Sequence, residues 1–106
     1  MKALPVAYDW HFFLTVRGYT MKQKTFNYYQ DAGHGWVKVS IADLKELGID
    51  KNITSYSFMK KDYAYLEEDC DLTTLINALE ANGLEFKYKA HISNWSSIRR
   101  YSRYVH

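Results

Sequence analysis

The alternation of apolar and polar residues predicts a β-hairpin in the first half of the chain. Residues 24–30 (KTFNYYQ) are rich in aromatic and other strand-forming residues, and residues 36–40 (WVKVS) alternate apolar and polar side chains. The five residues between them, 31–35 (DAGHG), have the length and glycine content of a hairpin loop. In such a loop, Gly33 and Gly35 are expected to supply positive φ angles.

Two stretches with helical periodicity follow, each bounded by a cap residue and a glycine. The first helix is predicted to begin after Ser40, which forms a capping-box pattern with Asp43, and to end at Gly48. The second is predicted to begin after Asp71 and to end at Gly83. The apolar residues at helical spacing are Ile41, Leu44 and Leu47 in the first helix and Leu72, Leu75, Ile76 and Leu79 in the second.

Further strands are predicted around these helices. Residues 55–59 (SYSFM) and 63–67 (YAYLE) form a second hairpin joined at KKD, and residues 84–92 (LEFKYKAHI) alternate as a half-exposed antiparallel strand does. Residues 10–16 (WHFFLTV) are compatible with an additional strand. Residues 93–106 show no clear period and are interpreted as a last short helix or an ordered arm.

The order β-β-α-β-β-α-β predicts an α+β fold, with an antiparallel sheet of about five strands and two helices. A chain of 106 residues is expected to form one domain over residues 1–106. Within it we distinguish an N-terminal strand or arm (1–23), an α+β core (24–92) and a basic, aromatic tail (93–106).

Composition and charge narrow the functional classes. The single cysteine, Cys70, excludes an intramolecular disulfide, and no apolar run reaches the length of a membrane span; we therefore expect a cytoplasmic protein with no membrane partner. Ten tyrosines, five phenylalanines and three tryptophans exceed what one small core needs. The net charge of +2 conceals seven acids and no base in residues 62–85, and five bases and no acid in residues 86–106.

The segment DAGHG raises three interpretations. A phosphate-binding loop is excluded, because its glycines should precede a helix, whereas a strand-like WVKV follows here. Asp31 could orient His34 for catalysis or metal binding. No second ligand lies at a helical or turn spacing from His34, however, and a simple hairpin loop is the favoured interpretation.

The acidic segment YLEEDCD (65–71) is the second candidate site. Clustered carboxylates can bind a divalent cation or form an acid–base pair, but the spacing is not that of an EF-hand loop. Acids at Asp69 and Asp71 are also favoured simply because a helix begins there. The acidic neighbours of Cys70 oppose a thiolate, which argues against a nucleophilic cysteine.

The tail segment SSIRRYSRYVH is the third candidate. Arginines interleaved with tyrosines are used in nucleic-acid contacts, where cations meet phosphates and rings stack on bases. The same pattern suits pairing with the chain's own acidic segment or with an acidic protein surface.

The segments YYQDAGHGWVKVSIADLKELGI and YAYLEEDCD resemble a group of small uncharacterised proteins of bacteriophages and plasmids. The similarity covers roughly residues 24–83 and rests on an aspartate, a GHGW segment, a helix ending in LGI, a tyrosine–serine strand and YLEEDCD. That group often has proline where this chain has Ala32. The resemblance implies a bacterial cytoplasm and a mobile genetic element, where small accessory proteins commonly inhibit host factors, including restriction or CRISPR machinery.

The leading hypothesis is therefore a non-enzymatic protein that binds a host protein and needs no cofactor or metal. The proposed contact residues are His34, Trp36, Trp95, Arg99, Arg100, Tyr101 and Arg103. A second hypothesis is nucleic-acid binding by the basic strand and tail. A third is a small hydrolase or metal enzyme that uses Asp31, His34 and the acids of residues 67–71. The oligomeric state is left open.

Overall fold

The computed structural model describes residues 15–16, 18–21 and 25–106. A two-residue pair of strands, β1 (Thr15–Val16) and β2 (Tyr19–Thr20), precedes the main sheet. The main sheet has six strands in the spatial order β7-β3-β4-β6-β5-β8. Its strands are β3 (Phe26–Gln30), β4 (Gly35–Ser40), β5 (Phe58–Lys60), β6 (Tyr63–Glu67), β7 (Tyr88–Ile92) and β8 (Ser102–Arg103). Two helices, α1 (Ile41–Glu46) and α2 (Leu72–Ala81), and two short 3₁₀ turns, Asp50–Asn52 and Ser97–Arg100, complete the described elements.

The predicted α+β class and the order β-β-α-β-β-α-β from residue 26 to residue 92 are confirmed. The predicted count of about five strands is one too low, because residues 102–103 add β8 to the sheet. The predicted antiparallel character is wrong for one strand, because β7 pairs with β3 in parallel. The crossover through α2 returns the chain to the end of the sheet at which β6 began, so β7 runs in the same direction as β6. Because β6 and β3 are each antiparallel to β4, β7 also runs parallel to β3. The strand predicted over residues 10–16 lies outside the described residues except for Thr15–Val16.

Both helices pack against one side of the sheet, which we call the helical side. The strands present Phe26, Val37, Val39, Ala64 and Leu66 to it, and each of these is completely buried. Leu44 of α1 and Leu75 and Leu79 of α2 face them and are also completely buried, as the predicted apolar spacing requires. Burial of this aliphatic set is the main stabilising contribution on this side.

The helix ends agree only in part with the predictions. Gly48 and Gly83 follow the helices with φ angles of +74° and +72°, which confirms them as C-terminal stops. Ser40 and Asp71 occupy the N-cap positions, but neither side chain makes a capping hydrogen bond. The capping interaction predicted at these two positions is therefore wrong, and Asp71 uses its carboxylate elsewhere.

The hairpin predicted around DAGHG is confirmed, with residues 31–34 linking β3 to β4. The positive φ angles predicted for Gly33 and Gly35 are wrong, because neither is among the glycines with positive φ. Gly35 is required for a steric reason instead. A Cβ there would lie 2.7 Å from the ring of Tyr28, which packs directly across the backbone.

The opposite side of the sheet, which we call the arm side, is partly covered by residues 93–106, the C-terminal arm. Ile98 of the arm packs with Trp36, Phe58 and Tyr65 in a second buried cluster. The arm then adds β8 to the sheet beside β5. Of the two interpretations of residues 93–106, the ordered arm is the one that describes this segment. The fold is thus one small domain with a six-stranded mixed sheet between two helices and the arm. Over the described residues, no helix has the length and apolar character needed to cross a membrane.

Candidate binding site

A cleft of about 430 Å³ opens on the arm side of the sheet, at the end where β6 finishes. The hairpin loop, the loop before β5, the turn after β6 and the arm all contribute to its walls. Its lining residues are His34, Trp36, Tyr56, Phe58, Glu67, Asp69, Cys70, Arg99 and Arg103. We refer to this set as the cleft.

Asp31 anchors the arm to the hairpin loop. Its buried carboxylate receives two hydrogen bonds from Arg99, from Nε at 2.7 Å and Nη2 at 2.8 Å, and one from the backbone N–H of Ser96 at 3.0 Å. The backbone N–H groups of Gly33 and His34 also donate to it, each at 3.1 Å. Hydrogen bonding from Arg99 holds the pKa of the Asp31 carboxyl far below its usual range, so the anchor is an ionised carboxylate at neutral pH.

The alternative that Asp31 orients the His34 imidazole is wrong. From His34 the Asp31 carboxylate accepts only the backbone N–H, whereas the ring nitrogen Nδ1 lies 3.3 Å from an oxygen of Glu67. The other Glu67 oxygen accepts the backbone N–H groups of Asp69 and Cys70, at 2.7 and 3.0 Å. Glu67 therefore stabilises the turn after β6 and joins that turn to the hairpin loop.

A second buried carboxylate fixes the loop before β5. Asp71 accepts the backbone N–H and the hydroxyl of Thr54, and it also accepts the hydroxyl of Ser57. The Ser57 oxygen in turn accepts the backbone N–H of Glu67 at 2.9 Å. This network places Tyr56 and Phe58 against the turn after β6, and it explains why Asp71 does not cap α2.

Two carboxylates of the acidic segment, those of Glu67 and Glu68, accept hydrogen bonds from neighbouring groups. Glu67, Glu68 and Asp69 offer ligand atoms within 4.8 Å of one another, and within the described part of the chain they are the one such group. Glu67 is engaged as described above, and Glu68 accepts the hydroxyl hydrogen of Tyr28. Burial of the Tyr28 hydroxyl and this hydrogen bond raise the pKa of Tyr28 to about 12.

Cys70 is an exposed residue with a free thiol, and it lines the cleft. Loss of solvent around the sulfur and the nearby carboxylates, first that of Glu67, raise the pKa of the Cys70 thiol. Because the thiolate is the reactive form, this environment disfavours nucleophilic chemistry at Cys70, as the sequence indicated.

The arm places three arginines over three aromatic rings. The guanidinium carbon lies 5.3 Å from the ring centroid of Trp36 for Arg99 and 4.6 Å from that of Phe58 for Arg103. That of Arg100 lies 5.1 Å from the ring centroid of Trp95, a side chain that is 52% exposed. Each contact is within the range of a cation–π interaction.

The structure brings most of the predicted contact residues together. His34, Trp36, Arg99 and Arg103 line the cleft, whereas Arg100 and Tyr101 line a neighbouring groove of about 670 Å³. Trp36 is only 2% exposed, so it can contribute to a contact only as part of the cleft wall. Tyr101 packs edge-on against Tyr65, with ring centroids 5.0 Å apart.

Sequence reasoning missed Tyr56 and Phe58 as cleft residues and Ser57 and Thr54 as the partners of Asp71. For Phe58, strand alternation gave a usable signal, since it points to the same side as Tyr65. No local signal marks the Thr54–Asp71 contact, because its partners are 17 residues apart.

Trp36 carries an unsatisfied donor in the cleft wall. Its indole Nε1 is buried and has no hydrogen-bond partner among the described residues. Unpaired buried donors are rare because they forfeit the hydrogen bond that water would supply.

The segments that carry the resemblance to phage and plasmid proteins meet at the cleft. They contribute His34 and Trp36 from GHGW, Tyr56 from the tyrosine–serine strand, and Glu67, Asp69 and Cys70 from YLEEDCD. No family model, no curated protein and no solved structure matches the chain, so the resemblance stays a prediction.

Proposed function

We propose that the protein is a non-enzymatic accessory protein of a bacteriophage or plasmid, and that it binds a host protein through the arm and the cleft. Inhibition of a host defence system of the restriction or CRISPR type is the activity that we propose for it. The single observation that carries protein binding is the row of three arginine–aromatic pairs on the arm.

These pairs match what stable protein interfaces use. Tryptophan, tyrosine and arginine are enriched among the residues that contribute most to binding, and a ring beneath a guanidinium holds it in place before the partner arrives. Arg100 and Arg103 are exposed and no described carboxylate pairs with them. Arg103 donates one N–H, from Nη1, to the backbone oxygen of Ser55 at 3.4 Å, and its other N–H groups and those of Arg100 are offered to a partner. An acidic protein surface is the complementary partner.

The cleft supports the same proposal as a receptor for an anchoring side chain. Its volume of about 430 Å³ is within the range of pockets that hold small molecules, and it lies directly beside Arg103. Trp36 and Phe58 contribute aromatic side chains to its lining, and Arg99 and Arg103 contribute cations.

The geometry favours binding over hydrolysis. The enzyme hypothesis needed Asp31 beside the His34 ring, but Asp31 is saturated by donors from the arm and the loop. At Cys70, loss of solvent and the nearby carboxylates raise the pKa of the thiol, which disfavours the thiolate that a nucleophilic mechanism would need.

The test is affinity capture from a bacterial lysate with a tagged protein, after nuclease treatment and at two salt concentrations. We expect a stoichiometric host protein that is captured by the wild type and not by the double variant Trp95→Ala/Arg100→Ala. Both side chains are exposed, so this variant should fold normally.

The matched control is Lys51→Ala/Ile92→Ala, which removes one exposed cation and one exposed apolar side chain away from the cleft. Capture should survive this control. Capture that is equal for both double variants, or that disappears entirely after nuclease treatment, would contradict the proposal. Inhibition is then tested by adding the purified protein to an activity assay of the captured partner.

A further inference from the structure

The arm side of the sheet carries a second, basic surface at the end away from the cleft. Strand register places Lys38 of β4, Tyr63 of β6 and Lys60 of β5 on this side, beside the tip of the β5–β6 hairpin. Lys61 at that tip and Tyr101 of the arm complete the surface. We refer to Lys38, Lys60, Lys61, Tyr63 and Tyr101 as the lysine–tyrosine patch.

Lysine side chains in the patch lie over tyrosine rings. The Lys38 ammonium is 4.3 Å from the ring centroid of Tyr63, and the Lys60 ammonium is 4.8 Å from that of Tyr101. Both rings are half-buried and pack against the aromatic cluster of the arm side, and a lysine ammonium lies over each of them. A planar apolar group can displace the lysine from the ring at low cost.

The charge of the surrounding surface is predominantly positive. The groove of about 670 Å³ between the hairpin tip and the arm is lined by Lys60, Lys61 and Arg100 and contains no acid among its described lining residues. Lys89 of β7 lies on the same side, and Asn27 separates it from Lys38 across the sheet. A second groove lies on the other flank of the hairpin tip, and Asp62 is among its lining residues. Asp62 is the one acid among the described lining residues of the two grooves.

We propose that the lysine–tyrosine patch binds single-stranded nucleic acid. Bases stack on the rings of Tyr63 and Tyr101, while the displaced ammonium groups of Lys38 and Lys60 contact the phosphates on either side of them. This arrangement selects single strands, because a duplex does not expose the faces of its bases. The surface is separate from the cleft and does not depend on the binding of a host protein.

The test is fluorescence anisotropy with a labelled oligonucleotide of about 12 nucleotides, compared with a duplex of the same sequence at the same salt. We expect binding of the single strand at low salt, with an affinity that falls steeply as salt rises. A variant that makes one phosphate contact fewer should show a slope of log K against log salt that is shallower by about 0.7. Parallel DNA and RNA oligonucleotides distinguish the two sources of the ligand.

Charge-reversal variants locate the site. Lys38→Glu should weaken binding strongly, whereas the matched variant Lys51→Glu, on an exposed lysine of the Asp50–Asn52 turn, should have the small effect of net charge alone. Conversely, Asp62→Asn should strengthen binding because it removes the acid beside the patch.

Ring variants separate stacking from charge. Tyr63→Leu should lower the affinity by about fivefold or more, and Tyr63→Phe should retain it, because only the aromatic face is needed. Equal effects of Lys38→Glu and Lys51→Glu, equal affinity for duplex and single strand, or no binding at low salt would each overturn the proposal. Trp95→Ala/Arg100→Ala tests the host-protein proposal independently, since nuclease-resistant capture does not require Lys38 or Tyr63.

Discussion

The two sides of the sheet are closed in different ways. On the helical side, two helices pack on the sheet through apolar side chains that are completely buried, such as Leu44, Leu75 and Leu79. On the arm side, a short segment covers an aromatic cluster, and one buried carboxylate, Asp31, fixes it in place. Non-directional burial stabilises the first side, whereas directional hydrogen bonds determine the position of the second. We propose the arm side as the surface that meets a partner, because the three arginine–aromatic contacts lie there.

The largest effect should come from breaking the helical side. Leu75→Ala removes a completely buried side chain that faces the sheet, and we expect the free energy of unfolding to fall by about 2–5 kcal/mol. Urea denaturation measures this change. Asn77→Ala, at an exposed position of the same helix, is the control and should change stability by less than about 0.5 kcal/mol. Similar values for the two variants would show that α2 does not contribute to the core.

A smaller loss of stability is expected from a substitution in the hairpin of β3 and β4, whose strands contribute to both sides of the sheet. In Gly35→Ala the new Cβ would meet the Tyr28 ring at 2.7 Å, and we expect overpacking to cost about 1–3 kcal/mol. Gly33→Ala is the milder comparison, because its Cβ would meet a single atom, Nη2 of Arg99, at 3.1 Å, a contact that a shift of a few tenths of an ångström in the guanidinium relieves. In thermal unfolding, the melting temperature of Gly35→Ala should be well below that of Gly33→Ala. The reverse order would contradict this packing.

The anchor of the arm is tested by Asp31→Asn. This change keeps the size of the side chain but removes the charge that holds Arg99, so the arm should loosen while the helical side remains intact. Hydrogen exchange should show faster exchange at the N–H groups of Ser96 and Arg99 and unchanged exchange in α2. Equal acceleration in α2 would mean that the two sides unfold as one unit.

The same anchor predicts an acid transition. The pKa of Asp31 is lowered in the folded protein from an ordinary value of 3.8. Its contribution to the stability of the docked arm is therefore complete above that pH. It decreases once the pH falls below 3.8 and is lost as the pH falls through the folded-state pKa. Loosening of the arm, measured by hydrogen exchange at Ser96, should therefore begin below about pH 4 in the wild type. Asp31→Asn should lack this pH dependence, and an unchanged acid transition in that variant would exclude Asp31 as its source.

The parts of the fold that depend on neighbouring residues could be predicted from the sequence. Periodicity located both helices, the hairpins and the order of elements, because each depends on neighbouring residues. The parallel pairing of β7 with β3 and the contact between Asp31 and Arg99 depend on residues brought together from opposite ends of the core. Arg99 lies 68 positions from Asp31, so the sequence offered only His34, the nearest imidazole, as a possible partner for the carboxylate.

The cleft was only partly predictable for a related reason. GHGW and YLEEDCD were identified as unusual segments, but their convergence results from the pairing of β4 with β6. The acids of YLEEDCD suggested a metal site because sequence shows charges without their partners. In the folded chain, Glu67 and Asp71 accept hydrogen bonds from turns and loops and thereby shape the cleft.

The smallest effect on stability should come from the exposed residues of the arm. Trp95→Ala/Arg100→Ala should change the free energy of unfolding by only about 0.5 kcal/mol per substitution or less, because both side chains are exposed and their mutual contact is at the surface. Chemical denaturation checks this expectation. A large loss of stability would mean that these residues hold the arm in place, and it would invalidate the variant as a probe of binding.

Hydrogen–deuterium exchange of the protein with its captured host partner tests the central claim most directly. If the arm side is the binding surface, protection should increase in the arm, around Trp95 to Arg103, and in the loop that contains His34. Exchange in α1 and α2 should remain as it is in the free protein. Protection confined to the two helices, with the arm unchanged, would contradict the account.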